Sequence, residues 1–255
     1  MDGQSQDAGA HFVAKWLQRE PEMVFAEVFC PVADKPTFRA WGALLHELRE
    51  SLFELSDPGV ARIKTTWWAE EMIGLGQGRQ RHPLGVELLG REAPWSALGR
   101  ALLAFEADSM RAADTEEAVA ALAPLANAVL QVESRLFSAH ESAGASRSLA
   151  IHWLLQRLPE GLASEDQARI PMHLFARHGI SAAELPTVQG QALVRDWAGE
   201  LLSALPPVLP GAALVRRSRA GFDQARLRRL AGGKPFGAPS PPASLWRAWR
   251  AARQS

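Results

Sequence analysis

The side chains in this 255-residue chain that could do chemistry are carboxylates one helical turn apart and histidines beside acids. Two carboxylates at i and i+4 stack on one face of a helix and can share a divalent cation, because Mg²⁺ takes hard oxygen ligands. Glu50 and Glu54 have that spacing. They flank an apolar stripe, Leu48/Leu52/Leu55, which predicts a solvated face for both. His46 and Glu47 are adjacent, and one of them must face inward if the helix register holds. The other histidines are scattered singly and Cys30 is the only cysteine, so neither a zinc site nor an internal disulfide is expected. No spacing suggests a Ser-His-Asp or Cys-His arrangement. Asp108 stands alone and reads as a cap or an ion-pair partner.

The elements that must position these residues are helices. Phe38, Trp41, Leu45, Leu48, Leu52 and Leu55 recur at steps of three and four, the period of an apolar helix stripe. Asp34 and Pro36 suit its first turn, and Asp57-Pro58 suits the start of the next helix. Strand signals are nearly absent: the chain has no Tyr, few Ile and Thr, and no apolar/polar alternation. The spacing predicts helices over 10–19, 21–30, 35–55, 58–77, 83–89, 95–111, 115–142, 146–158, 171–178, 181–205, 223–231 and 243–253. Pro124 is expected to start or kink the seventh of them. Glu160, Glu165 and Asp166 are expected in the loop between residues 158 and 171. No Walker loop, dinucleotide fingerprint or internal repeat is present.

The stretch Lys64-Thr65-Thr66-Trp67-Trp68-Ala69-Glu70-Glu71-Met72, then Gly78, then Arg81-His82-Pro83-Leu84, resembles the squalene/phytoene synthase family. There a (R/K)xxWWxxxL helix is followed by a Gly turn and an HP dipeptide. Leu45-His46-Glu47-Leu48-Arg49 is similar to that family's first pocket-lining helix, and Arg169-Ile170-Pro171 through Gly179 to a later segment. The resemblance covers about residues 12–205. It implies an all-α, isoprenoid-synthase-like helical bundle around a central cavity.

Family members condense two isoprenyl diphosphates, with Mg²⁺ held by two DxxxD motifs on facing helices. By the resemblance, the first motif falls on Arg49 and Phe53, and the second on Leu158 and Leu162, with Leu154 at a preceding Asn position and Arg157 at an Arg. None of these can hold Mg²⁺: leucine has no lone pairs, and a guanidinium repels the cation. The resemblance therefore implies a cavity lined by His46, Glu47, Arg49, Phe53, Lys64, Trp68, Glu71, Asp108, Leu154, Arg157 and Leu158, with no catalytic residue, no metal ligand and no cofactor. Trp67-Trp68 and His82-Pro83 have structural readings of their own, as core packing and as a helix start.

Composition is ordinary for a globular chain: 47% apolar and 22% charged. Residues 1–9 are polar and acidic, so no secretory leader is expected, and no apolar run is long enough to span a bilayer. The net charge of zero hides an asymmetry. Residues 213–255 carry ten Arg/Lys against one acid, Asp223. This basic stretch implies contact with a partner, an anionic membrane surface or the acidic body itself. The division expected is a helical domain over 1–210 and a basic C-terminal extension over 211–255, with a Gly/Pro linker and a short Trp/Arg amphipathic helix.

The expected function is that of a non-catalytic squalene/phytoene-synthase-like protein. Relatives with a similar H-E-L helix in place of the first aspartate motif are implicated in assembly rather than terpene synthesis, and by that resemblance the chain would bind a prenyl lipid or a protein partner. The alternative is a Mg²⁺-dependent prenyl transferase. A cytoplasmic location, peripheral at the inner face of a membrane, goes with this reading, and nucleic acid does not.

Overall fold

Steps of three and four in the apolar residues do produce helices throughout. A computed structural model describes residues 2–105, 111–140, 142–163 and 168–254. Among them there are eleven α-helices and no strand. They are α1 (Asp2–Arg19), α2 (Met23–Val28), α3 (Lys35–Arg49), α4 (Pro58–Gly76), α5 (Trp95–Ala104) and α6 (Thr115–Leu136). The remainder are α7 (Ala145–Ala163), α8 (Met172–His178), α9 (Val188–Ala204), α10 (Leu214–Ala231) and α11 (Pro241–Ala252). No helix of the described residues is long and apolar enough to cross a membrane.

The stripe on α3 buries Phe38, Trp41, Leu45 and Leu48. Gly42 lies among them because a β-carbon there would fall 2.3–2.6 Å from the Trp16 ring of α1. A bare backbone lets that indole lie directly on α3. Asp57 caps α4 as its type predicts, accepting from the Gly59 and Val60 amides at 2.7 and 3.2 Å. Asp34 precedes α3 but makes no capping hydrogen bond. Pro124 is tolerated inside a continuous α6.

Several boundaries differ from expectation, each for a local reason. The helix expected over 35–55 changes at Arg49 into a π-helical turn, Glu50–Glu54, which ends at Leu55 in extended backbone. Residues 83–89 form only a 3₁₀ turn, Pro83–Glu87. The helix expected over 181–205 is split into a 3₁₀ turn, Ala182–Glu184, and α9. The break lets the Leu185 backbone approach Gly190, where a β-carbon would lie 2.1 Å from the Leu185 oxygen. α7 runs to Ala163, so Glu160 lies on a helix and not in a loop. Glu165, Asp166 and Asp108 lie outside the described residues.

The largest departure is α10. Its expected start was residue 223, and the stretch before it carried no helix. The helix begins nine residues earlier, at Leu214, and packs against α2, α7, α9 and α11. Val215, Phe222 and Leu227 are fully enclosed, and so are Arg216 and Arg226. The first part of the supposed extension is therefore a helix of the core.

Candidate functional site

The candidate residues fall into three groups that meet different partners. The first lies where α1, α3 and α4 converge. Glu47 is buried, and its carboxylate receives Lys15 Nζ from α1 at 2.8 Å and Lys64 Nζ from α4 at 3.4 Å. Glu50 in the π turn holds Lys64 at 3.0 Å and also contacts Lys15. Two carboxylates thus share two ammonium groups, a charge-neutral square. Burial works against the charge on Glu50, but the two lysines outweigh it and hold its carboxyl below the usual range. On Lys15 burial is likewise outweighed, by the two glutamates, and its ammonium is held more firmly than usual.

His46 sits beside this square, and one potential ligand atom from each of His46, Glu47 and Glu50 lies within 4.8 Å of the others. Such a trio could in principle touch one cation. Two lysines already occupy the carboxylates, and His46 points its Nδ1 at a guanidinium: it accepts from Arg49 Nη2 at 3.0 Å. Burial, then the Arg49 charge, push the imidazole down to about 3, so it is neutral at physiological pH.

Arg49 is the hinge to a deeper network. It is 1% exposed, and its Nε donates to Glu54 at 2.8 Å. Its Nη1 reaches Glu20 at 3.5 Å. Glu20 is also held by Arg219 of α10 at 2.8 and 3.2 Å and by the Trp16 indole N–H at 3.1 Å. Burial opposes its charge, yet Arg219, His152 and Arg49 together hold its carboxyl far below the usual range. Farther along α10, Asp223 meets His152 Nδ1 at 2.9 Å, and Arg226 lies 2.6 Å from Glu22. Burial pushes His152 down despite Asp223, and raises Glu22 to about 6 despite Arg226. Arg216 pairs with Glu133 of α6 at 2.8 Å, a carboxylate that also accepts from the Trp41 indole at 3.0 Å.

Glu50 and Glu54, expected on one solvated face, are thus divided between two networks. Glu50 goes with the lysines, and Glu54 with Arg49 and, at 3.8 Å, Arg19. The wider π turn separates what an α-helix would have stacked.

The second group is the Trp68/Glu71 turn. Trp68 is buried, while Trp67 is half-exposed beneath the Arg81 guanidinium, 5.2 Å from the ring centre. The Glu71 carboxylate accepts the Arg81 and His82 amides at 2.8 and 2.9 Å and so closes the turn after α4. His82 Nδ1 accepts from the Leu84 amide at 3.2 Å, and its ring packs on Phe12 and Trp68. These contacts fix the turn that follows α4.

The third group lines a mostly apolar pocket of about 290 Å³ between α5, α6 and α7. Leu154 and Arg157 line it, with Phe105, Leu122 and Leu125. Phe53 lies just behind, 5.6 Å from the Phe105 ring and 5.1 Å below the Arg157 guanidinium. Arg111 and Arg169 also line it. Leu158 is buried on the same helix, α7. Asp108, the remaining candidate, is outside the described residues.

Sequence reasoning missed Lys15, Glu20, Glu133, His152 and the inward face of α10. A signal exists in the sequence: Arg216, Arg219, Asp223 and Arg226 recur at steps of three, four and three, the helical period carried by charged instead of apolar residues. Compared with models of known protein families and with curated proteins, the chain matches none.

Proposed function

We propose that this chain is a squalene/phytoene-synthase-like helical protein that does not transfer prenyl groups. In this reading it binds a prenyl lipid or a partner protein, in an assembly-factor-like role. The observation that carries it is the pairing of Lys15 and Lys64 with Glu47 and Glu50. By the resemblance a diphosphate-bound Mg²⁺ would sit beside this part of α3, and there both carboxylates are engaged by ammonium groups. Without a bound Mg²⁺ the leaving diphosphate lacks the cation that, by the resemblance, stabilises its charge as the bond breaks.

The lipid part of the proposal draws on the pocket between α5, α6 and α7. Its wall of Phe105, Leu122, Leu125 and Leu154 suits a branched hydrocarbon. The test is to incubate the protein with farnesyl or geranylgeranyl diphosphate and Mg²⁺ while measuring diphosphate release, and to extract and weigh any co-purifying lipid by mass spectrometry. The expected result is no release and a bound isoprenoid lost on Leu154→Arg substitution. Release abolished by a chelator overturns the non-catalytic reading.

A second reading, a Mg²⁺-dependent prenyl transferase, is favoured only by the mutual closeness of the His46, Glu47 and Glu50 ligand atoms. It requires both lysines to leave the carboxylates when the substrate arrives.

A further inference from the structure

Helix α11 turns Ser244, Ala248 and Ala251 inward, and small side chains let it lie close on the body. Its outer face is large and apolar: Leu245, Trp246 and Trp249 are 43%, 49% and 43% exposed. Val208, on the Pro-rich loop between α9 and α10, is also exposed and shares a cleft with Trp246. A folded protein that needed these indoles only for its core would have turned them in.

The charge around this face has one sign. Of the ten cations in residues 213–255, Arg216, Arg219 and Arg226 are committed to buried acids. The rest find no carboxylate in an ion pair among the described residues. Arg228 of α10 and Arg247 and Arg250 of α11 line the same small cleft as Trp246 and Val208. Burial lowers the Arg247 pKa, and the neighbouring Arg228 and Arg250 charges lower it further. Arg250 and Arg253 lie over the Trp246 and Trp249 rings at 4.8 and 4.9 Å. Those stacked contacts hold the guanidiniums beside the indoles.

We propose that this face docks on an anionic bilayer, with Trp246, Trp249, Leu245 and Val208 in the interfacial zone and the Arg228/Arg247/Arg250 cleft taking a lipid phosphate. Charge complementarity selects the occupant. A neutral partner leaves three like charges uncompensated, and a bilayer with anionic headgroups supplies both the phosphate and the interfacial layer in which indoles gather. The contact is peripheral, and its two components are separable by experiment.

The full-length protein is sedimented with vesicles of phosphatidylcholine alone and with vesicles containing about one-third phosphatidylglycerol, at low and high salt. The expected result is co-sedimentation with the anionic vesicles only, weakened by salt. Trp246→Ser/Trp249→Ser and Arg247→Gln/Arg250→Gln should each lower partitioning at least about tenfold. Both pairs keep the inward contacts of Ser244, Ala248 and Ala251, and circular dichroism confirms that each variant is folded. The proposal is overturned by equal binding to neutral vesicles, by no binding to anionic ones, or by unchanged binding of the Trp pair. Saturable binding of soluble glycerophosphate or polyglutamate without vesicle binding also overturns it.

Discussion

Replacing Lys64 with Met removes one corner of the four-charge square while keeping the length of the side chain. Lys64 Nζ stands 3.0 Å from Glu50 and 3.4 Å from Glu47. At an effective dielectric of about 20, each contact is worth roughly 5 kcal/mol before desolvation is counted. The lysine side chain is 30% exposed and Glu50 22%, so solvent screens much of that, and Lys15 remains to serve both acids. Exposed pairs contribute about 1 kcal/mol or less, and removing one partner of a buried pair costs about 3–5 kcal/mol. The geometry lies between these, which sets the expected loss at about 2 kcal/mol. With a urea slope of roughly 3 kcal/mol per molar for a chain of this size, the midpoint should fall by about 0.7 M. The assay is equilibrium urea unfolding followed by circular dichroism, with and without millimolar Mg²⁺. Wild-type protein should show no Mg²⁺ effect, because a ligand stabilises only what it binds. A Lys64→Met midpoint within about 0.2 M of wild type, or a wild-type midpoint that climbs with Mg²⁺, refutes the claim that lysines stand where a metal would.

Other perturbations test the rest of the network. Arg216→Met strands Glu133, which is 2% exposed, and should cost about 3–5 kcal/mol in the same urea assay, while Arg253→Gln on the surface should cost under about 0.5 kcal/mol. Stability against pH should carry two opposed contributions. His46 is lowered from 6.5 to about 3, so the unfolded chain takes up its proton first and stability falls as pH drops below about 6.5, by up to roughly 1.4 kcal/mol per unit. Glu22 is raised from 4.5 to about 6, so the native state keeps its proton longer and stability gains up to about 2 kcal/mol as pH falls from 6 to 4.5. Denaturation midpoints across that window should therefore fall less steeply in His46→Gln and more steeply in Glu22→Gln than in wild type. Gly42→Ala drives a β-carbon into the Trp16 ring and should lower stability by about 1–3 kcal/mol, read as a drop in the thermal midpoint.

Apolar spacing alone makes the helical character of the chain, and the course of most of its helices, legible. Phe38, Trp41, Leu45 and Leu48 cannot leave water together on any other period, and Asp57 before Pro58 can do little but start a helix. At His82-Pro83 only the start of a helical turn was legible, from hydrogen bonds made within a few residues of chain, and the helix expected over 83–89 is a 3₁₀ turn. The meaning of the charges was not legible. Arg216, Arg219 and Arg226 read only as part of a basic stretch that meets a partner, a membrane or the acidic body, because their partners Glu133, Glu20 and Glu22 lie roughly 80 to 200 residues away in sequence. Glu50 and Glu54 likewise read as a matched pair, until a π turn sent them to different cations. An apolar side chain is indifferent to which neighbour it meets, so its spacing alone predicts its burial. A charge is buried only where one particular opposite charge arrives, and that arrival is decided by the packing of α1, α3, α6 and α10.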